Sequence, residues 1–139
     1  MTYANRVPRT FSADEYLLVE RHASTKSEYL NGTIFDMAGA SEAHVTIDAN
    51  LIALAVTQLR GSGCRAYGND LKVRTRPGGL FAYPDMSIVC GDRKFHDATR
   101  DVLINPTSLC EILSQSTASF DRGEKFLMYQ EIDTLMDMF

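Results

Sequence analysis

Apolar and polar positions along the chain alternate between a helical and a strand period, and their boundaries carry recognisable caps and turns. Ser12 reads as a helix cap, with Glu15 three positions later completing a capping box and Tyr16, Leu17, Leu18 and Val19 supplying the buried side. This first helix ends before Ser24. The chain then alternates through Glu28-Tyr29-Leu30, turns at Asn31-Gly32 and returns as Thr33-Ile34-Phe35-Asp36-Met37. Asn-Gly between apolar runs is the strongest short hairpin signal. With Ser41 as cap, positions 45–59 form a helix in which Val45, Ile47, Leu51, Ile52, Leu54, Val56 and Leu59 cover most of the circumference. Thr46, Asn50 and Thr57 leave only a narrow polar stripe, so the pattern predicts a helix enclosed against a sheet. Gly61 and Gly63 stop it.

Strands follow. Over 66–75, Leu71, Val73 and Thr75 share one face while Lys72, Arg74 and Arg76 share the other. Pro77-Gly78-Gly79 turns the chain into 80–90, and a polar excursion from 91 to 106 predicts a surface loop carrying Arg93 and Lys94. The run 108–114 is nearly all apolar apart from Glu111 and its serines, which predicts a central strand with Glu111 in its middle. Ser119 or Asp121 caps a helix through Glu131, with Phe126, Leu127 and Tyr129 on its buried flank, and 135–139 reads as a last strand. The order of elements predicts one α/β (α+β) domain over 1–139, a central mixed β-sheet flanked by helices, with an N-terminal helix and β-hairpin.

Composition narrows the class. The 139 residues are 45% hydrophobic, with seven Phe and six Tyr, enough for a core without staples. No stretch approaches the roughly 20 apolar residues that span a bilayer, and the N-terminus lacks the apolar core of a secretion signal. Cys64, Cys90 and Cys110 have no metal-ligand spacing. The ordinary reading of the two in apolar strands is a buried thiol, with a cytoplasmic location as the default. The net charge of −4 opposes tight nucleic-acid binding, yet Arg60, Arg65, Lys72, Arg74 and Arg76 lie close together with only Asp70 opposing them. Lys72, Arg74 and Arg76 are the best candidates for contacts with a phosphate backbone, with Arg93 and Lys94 of the loop as further nucleic-acid-binding candidates.

The acidic residues supply the chemistry. Pro84-Asp85 leads one apolar strand and Glu111 sits inside another, with Lys125 on the helix that follows. A carboxylate in an apolar strand is expensive unless paired, and a divalent metal is an obvious partner. If the two strands are neighbours, Asp85, Glu111 and the backbone carbonyl of Ile112 offer hard oxygen ligands that suit Mg2+, or Mn2+, rather than zinc. Lys125 can orient an attacking water or share developing charge. The bland alternative is a strand-end Asp and a Glu paired with an arginine. His44, in the first turn of the second helix with Asp48 one turn on, is either a supporting group or a core-edge histidine. Glu28 is either a reaching carboxylate or a solvated strand position.

These stretches together resemble a known family. Ser-Glu-Tyr-Leu-Asn-Gly-Thr-Ile-Phe-Asp-Met, His44, Tyr-Pro-Asp-Met-Ser-Ile-Val, Cys-Glu-Ile-Leu-Ser-Gln-Ser-Thr and Phe-Asp-Arg-Gly-Glu-Lys-Phe-Leu-Met-Tyr are similar, in this order, to the "putative restriction endonuclease" family common in cyanobacteria. That family belongs to the PD-(D/E)XK nuclease superfamily. The resemblance implies a restriction-endonuclease-like fold and a Mg2+-dependent endodeoxyribonuclease in which a metal-activated water hydrolyses DNA. It implies Asp85, Glu111 and Lys125 as catalytic residues, and Glu28, His44, Asp121 and Tyr129 in support. The superfamily pattern expects its lysine at Leu113, whereas the similar family places it on the following helix, where Lys125 stands. Family chains also usually continue beyond the motif region, so this chain reads as C-terminally short, with the last strand available to pair in a homodimer. The competing expectation is a catalytically silent nucleic-acid-binding or dimeric interaction module that retains the fold.

Overall fold

The computed structural model describes residues 10–37, 39–113 and 122–139. Helix α1 (Ala13–His22) is followed by the hairpin β1 (Ser27–Leu30) and β2 (Thr33–Asp36), and then by helix α2 (Glu42–Leu59). Strands β3 (Cys64–Tyr67), β4 (Lys72–Arg74), β5 (Phe81–Ala82) and β6 (Met86–Cys90) come next. The chain closes with β7 (Val102–Leu103), β8 (Ser108–Cys110), helix α3 (Arg122–Tyr129) and β9 (Asp137–Met138).

The class is the mixed α/β one expected, but the strands divide into two sheets. One runs β2-β1-β5-β4-β7 and the other β3-β6-β8-β9. Most pairs are antiparallel; β4 with β7 and β8 with β9 are parallel. The run 66–75 is therefore not one strand. Asn69-Asp70 breaks it, and β3 and β4 enter different sheets. The run 80–90 is broken in the same way, because Tyr83-Pro84-Asp85 carries the chain from β5 back to β6. A proline cannot donate to a sheet ladder and fixes its own φ, so it suits a point where the chain leaves one sheet for another.

The sheets share a core. Val73 and Ala82 of the five-stranded sheet, with Leu80 just before β5, pack with Val89 and Leu109 of the four-stranded one, and Tyr129 and Ile132 complete the cluster. Phe81 points the other way, as strand alternation requires, and packs with Tyr16, Leu17, Tyr29 and Val102 under α1. The capping box of α1 forms as expected: Glu15 N donates to Ser12 Oγ over 3.1 Å and Ser12 N donates to Glu15 Oε1 over 2.9 Å. Of its expected buried side only Tyr16 and Leu17 are enclosed; Leu18 and Val19 face out. The hairpin turns through Asn31 at φ 48° and Gly32 at φ 85°, the paired positive values that a two-residue turn of right-handed twist needs.

Two expectations fail here. Helix α2 has no buried residue among its eighteen, and Val45, Ile47 and Leu54 are each more than half exposed. It contacts β3 along one side and is not enclosed by a sheet. Cys64 and Cys90, directly opposite across β3 and β6, are joined as a disulfide, so Cys90 is no buried thiol; Cys110 alone is free. The terminal strand pairs within its own chain, β9 lying parallel to β8. No helix among the described residues is long and apolar enough to cross a membrane.

Candidate active site

The sheet crossing at Tyr83-Pro84-Asp85 delivers a buried carboxylate next to the end of β8. Asp85 Oδ2 accepts a 2.7 Å bond from the Ile112 backbone N–H, and Asp85 Oδ1 accepts from His44 Nε2 at 2.8 Å. The first contact ties Asp85 to the residue immediately after Glu111. Glu111 itself lies just past β8, not within a strand, and its N–H donates to the carbonyl of Phe139. Two strands thus bring their acids together at one sheet end.

Helix α3 supplies the cation. Lys125 Nζ sits 3.1 and 3.0 Å from the two carboxylate oxygens of Glu28 and 3.6 Å from Glu111 Oε1. One turn further on, Tyr129 Oη donates to Glu111 Oε1 over 2.6 Å. Glu28, on β1, also accepts from the Tyr83 N–H at 2.8 Å, so the five-stranded sheet holds it rigidly. The lysine position of the plain superfamily pattern, Leu113, is 69% exposed, and it is Lys125 that reaches the acids.

Burial and mutual repulsion set the electrostatics. Loss of solvent, with Asp85 and Glu28 nearby, pushes the Glu111 carboxyl up to about 7 against the opposing pull of Lys125 and Tyr129. Burial alone would lower Lys125, yet Glu111 and Glu28 reverse that and hold it above its ordinary value. Burial likewise drives Tyr129 far upward, so it stays a neutral donor. Asp48, one turn along α2 from His44, is raised by burial and by Asp85, and its Oδ1 is enclosed without a hydrogen-bond partner among the described residues. Sequence reasoning noted Asp48 beside His44 without giving it a place among the acids; helical spacing was the available signal.

The donor chemistry fits a hard cation. Glu111 and Glu28 bring two carboxyl groups against Lys125, Asp85 is tied to the residue next to Glu111, and Oδ1 of Asp48 is unpartnered among the described residues. Among the described residues no three His, Cys, Asp or Glu side chains form a metal-binding group by themselves. Mg2+ is commonly held by one or two carboxylates and keeps several waters, so Asp85 and Glu111 suffice where a zinc site would need more protein ligands. For Ile112 the structure describes the N–H on Asp85; the expected metal contact was its carbonyl.

The basic strip is arranged differently from the expectation. Lys72 is buried, within 3.5 Å of Tyr83 Oη and 3.6 Å of Asp101. Arg74 is half-buried, bonded to His96 Nδ1 at 2.8 Å, and burial lowers its guanidinium. Arg76 is exposed and paired with Glu131 at 2.6 Å. Lys72 and Arg74 both reach the 91–106 segment, through Asp101 and His96, whereas Arg76 lies past the end of β4 and turns to Glu131, so the three do not form one open strip. Arg93 and Lys94 are exposed, away from the carboxylates. Asp121 lies outside the described residues.

The chain and its fold are similar to known proteins. A family model described as "Putative restriction endonuclease" (Uma2) matches residues 13–136, and the chain belongs to that family. Two uncharacterized proteins of Synechocystis are similar to it, one 31% identical over 93% of this chain and 73% of its own length. The other is 34% identical over 91% of this chain and 65% of its own length. The fold is that of a crystal structure from Anabaena variabilis described as a putative nuclease of DUF820, with a TM-score of 0.72 at 22% identity over 94% of this chain and 74% of that one.

Proposed function

We propose that the protein is a divalent-metal-dependent endonuclease that hydrolyses DNA phosphodiester bonds, with Asp85 and Glu111 as metal ligands and Lys125 as the cationic catalytic residue. The observation that carries the reading is the meeting of Asp85, Glu111 and Lys125 from three separate elements, through the Asp85–Ile112 bond and the 3.6 Å Lys125–Glu111 approach. Family membership supports the same chemistry. When bound, Mg2+ supplies Lewis-acid polarisation of the scissile phosphate and a lowered pKa for a coordinated water.

The chain's own residues do the rest. Glu28 holds the Lys125 ammonium beside Glu111, where its charge can stabilise the phosphorane-like oxygens or orient the water. Tyr129 holds Glu111 and His44 holds Asp85 by hydrogen bonds that fix the orientation of each carboxylate. Supercoiled plasmid and single-stranded DNA, incubated with Mg2+ or Mn2+ and parent, Asp85→Ala or Lys125→Ala protein, test this. Metal-dependent nicking by the parent alone is expected. Equal nicking by Asp85→Ala would sink the reading.

One observation favours a second reading. Both oxygens of Asp85 and both of Glu28 are already engaged within the protein, an arrangement that also suits a catalytically silent nucleic-acid-binding module. Such a module retains DNA equally well with Asp85→Ala and binds no Mg2+ in a calorimeter.

A further inference from the structure

The described cations without a carboxylate partner lie away from the buried acids. Among the described side chains, Arg21, Lys26, Lys72, Arg76 and Lys125 each pair with a carboxylate, and Arg74 is held by His96. The five that remain are Arg60, Arg65, Arg93, Lys94 and Arg100, and all five line a single cavity of about 890 Å³ in which Asp92 is the one acid. Arg93 donates to Tyr67 Oη and Arg100 lies 4.3 Å above the Phe95 ring; neither contact neutralises charge. Five positive groups around one concavity, in a chain of net charge −4, repel one another unless an anion joins them. The C-terminal end of α2 opens here and its partial negative charge accounts for one of them, the adjacent Arg60, but not for the other four.

The cavity's position restricts the ligand. It lies where β3 and β6 end at Cys64 and Cys90, whereas Asp85 precedes the opposite end of β6. A five-residue strand is about 17 Å long, the rise of roughly five base pairs of duplex. A single phosphate would occupy a small part of the volume, while several arginine forks beside an apolar wall of Val56 and Leu59 suit successive phosphates with sugars between them. We propose that this cavity is an anchor for the backbone phosphates of a nucleic-acid strand, separate from the point of cleavage. The proposal rests on the nuclease reading and supplies the cationic surface that Lys72 and Arg74 do not.

The test is fluorescence anisotropy of labelled duplex and single-stranded oligonucleotides in EDTA, as a function of salt. Parent protein is compared with the double variant Arg65→Gln/Lys94→Gln and with Arg76→Gln, which removes a charge elsewhere. The double variant should bind roughly tenfold more weakly near 0.1 M salt, with the slope of log Kd against log salt reduced by about two. Its thermal midpoint and its cleavage rate at saturating DNA should match the parent's. Equal affinity and slope in the double variant and in Arg76→Gln, with a parent that binds and cleaves, would overturn the anchor while leaving the nuclease standing. A parent that neither binds nor cleaves any polymer overturns both. A parent that binds a nucleoside monophosphate in this cavity but no polymer assigns it instead to a small phosphorylated ligand.

Discussion

At the scale of single residues, Glu111 is a carboxyl whose environment changes its acidity strongly. Its carboxyl titrates near 7 in the folded protein because it has lost solvent among other acids, whereas an unfolded chain ionises it near the ordinary 4.5. Between these values the native state binds more protons than the unfolded state, so stability falls as pH rises. The contribution is fully present below about 4.5 and lost above about 7, on the order of 3 kcal/mol for a shift of this size. In metal-free protein, the urea midpoint should drop between pH 5 and 7.5, and Glu111→Gln should flatten that dependence. Parallel profiles would show that Glu111 is not the group responsible. The acids were legible in the sequence because a carboxylate in an apolar run has few explanations. The placement of Lys72 and Arg74 was not, since alternation names a shared face without saying what covers it. Lys125 was named as the lysine on the helix that follows, but its contact with Glu28 was not foreseen, because a contact between a helix and a strand distant in sequence leaves no local pattern.

At the scale of elements, caps and turns were read most accurately, since their signals are local. Ser12→Ala removes the oxygen that accepts from Glu15 N, and should lower stability by about 1 kcal/mol. Paired chemical denaturation curves of the two proteins check it; an unchanged midpoint would mean the cap is dispensable. The turn after β4 is tighter than Pro77-Gly78-Gly79 alone suggests. A Cβ on Gly79 would run into Thr75 Oγ1 and lie 2.8 Å from Arg76 Cγ. Thr75 Oγ1 cannot retreat freely, because it accepts from Leu80 N at 3.0 Å. Gly79→Ala should therefore destabilise by about 1–3 kcal/mol, from overpacking, and a thermal midpoint within a degree of the parent's would refute this. Helix α2 is where the element-level reading failed. An all-round apolar helix normally marks enclosure, but its periodicity cannot reveal how many neighbours it has, and here β3 covers one side only.

At the scale of the molecule, the division into two sheets was invisible in the sequence, and the disulfide explains how the division is held. Between Cys64 on β3 and Cys90 on β6 the chain leaves the four-stranded sheet, forms β4 and β5 of the other, and returns. The bridge therefore closes a 26-residue excursion that interlocks both sheets, and Asp85 lies on its return path. Closing a loop of that length removes unfolded-state entropy corresponding to about 3.5 kcal/mol in the chain-entropy model. Oxidised protein should lose roughly that much on treatment with dithiothreitol, and Cys64→Ser should lose it with or without reductant. Because Asp85 is fixed separately by Ile112 and His44, the reduced protein, once folded, should keep whatever Asp85-dependent nicking the proposed nuclease shows, at a temperature well below its new midpoint. Equal unfolding midpoints with and without reductant, with the oxidised state verified by mass, would show that packing between the sheets alone holds them. Loss of activity with folding intact would show instead that the bridge positions Asp85 through β6.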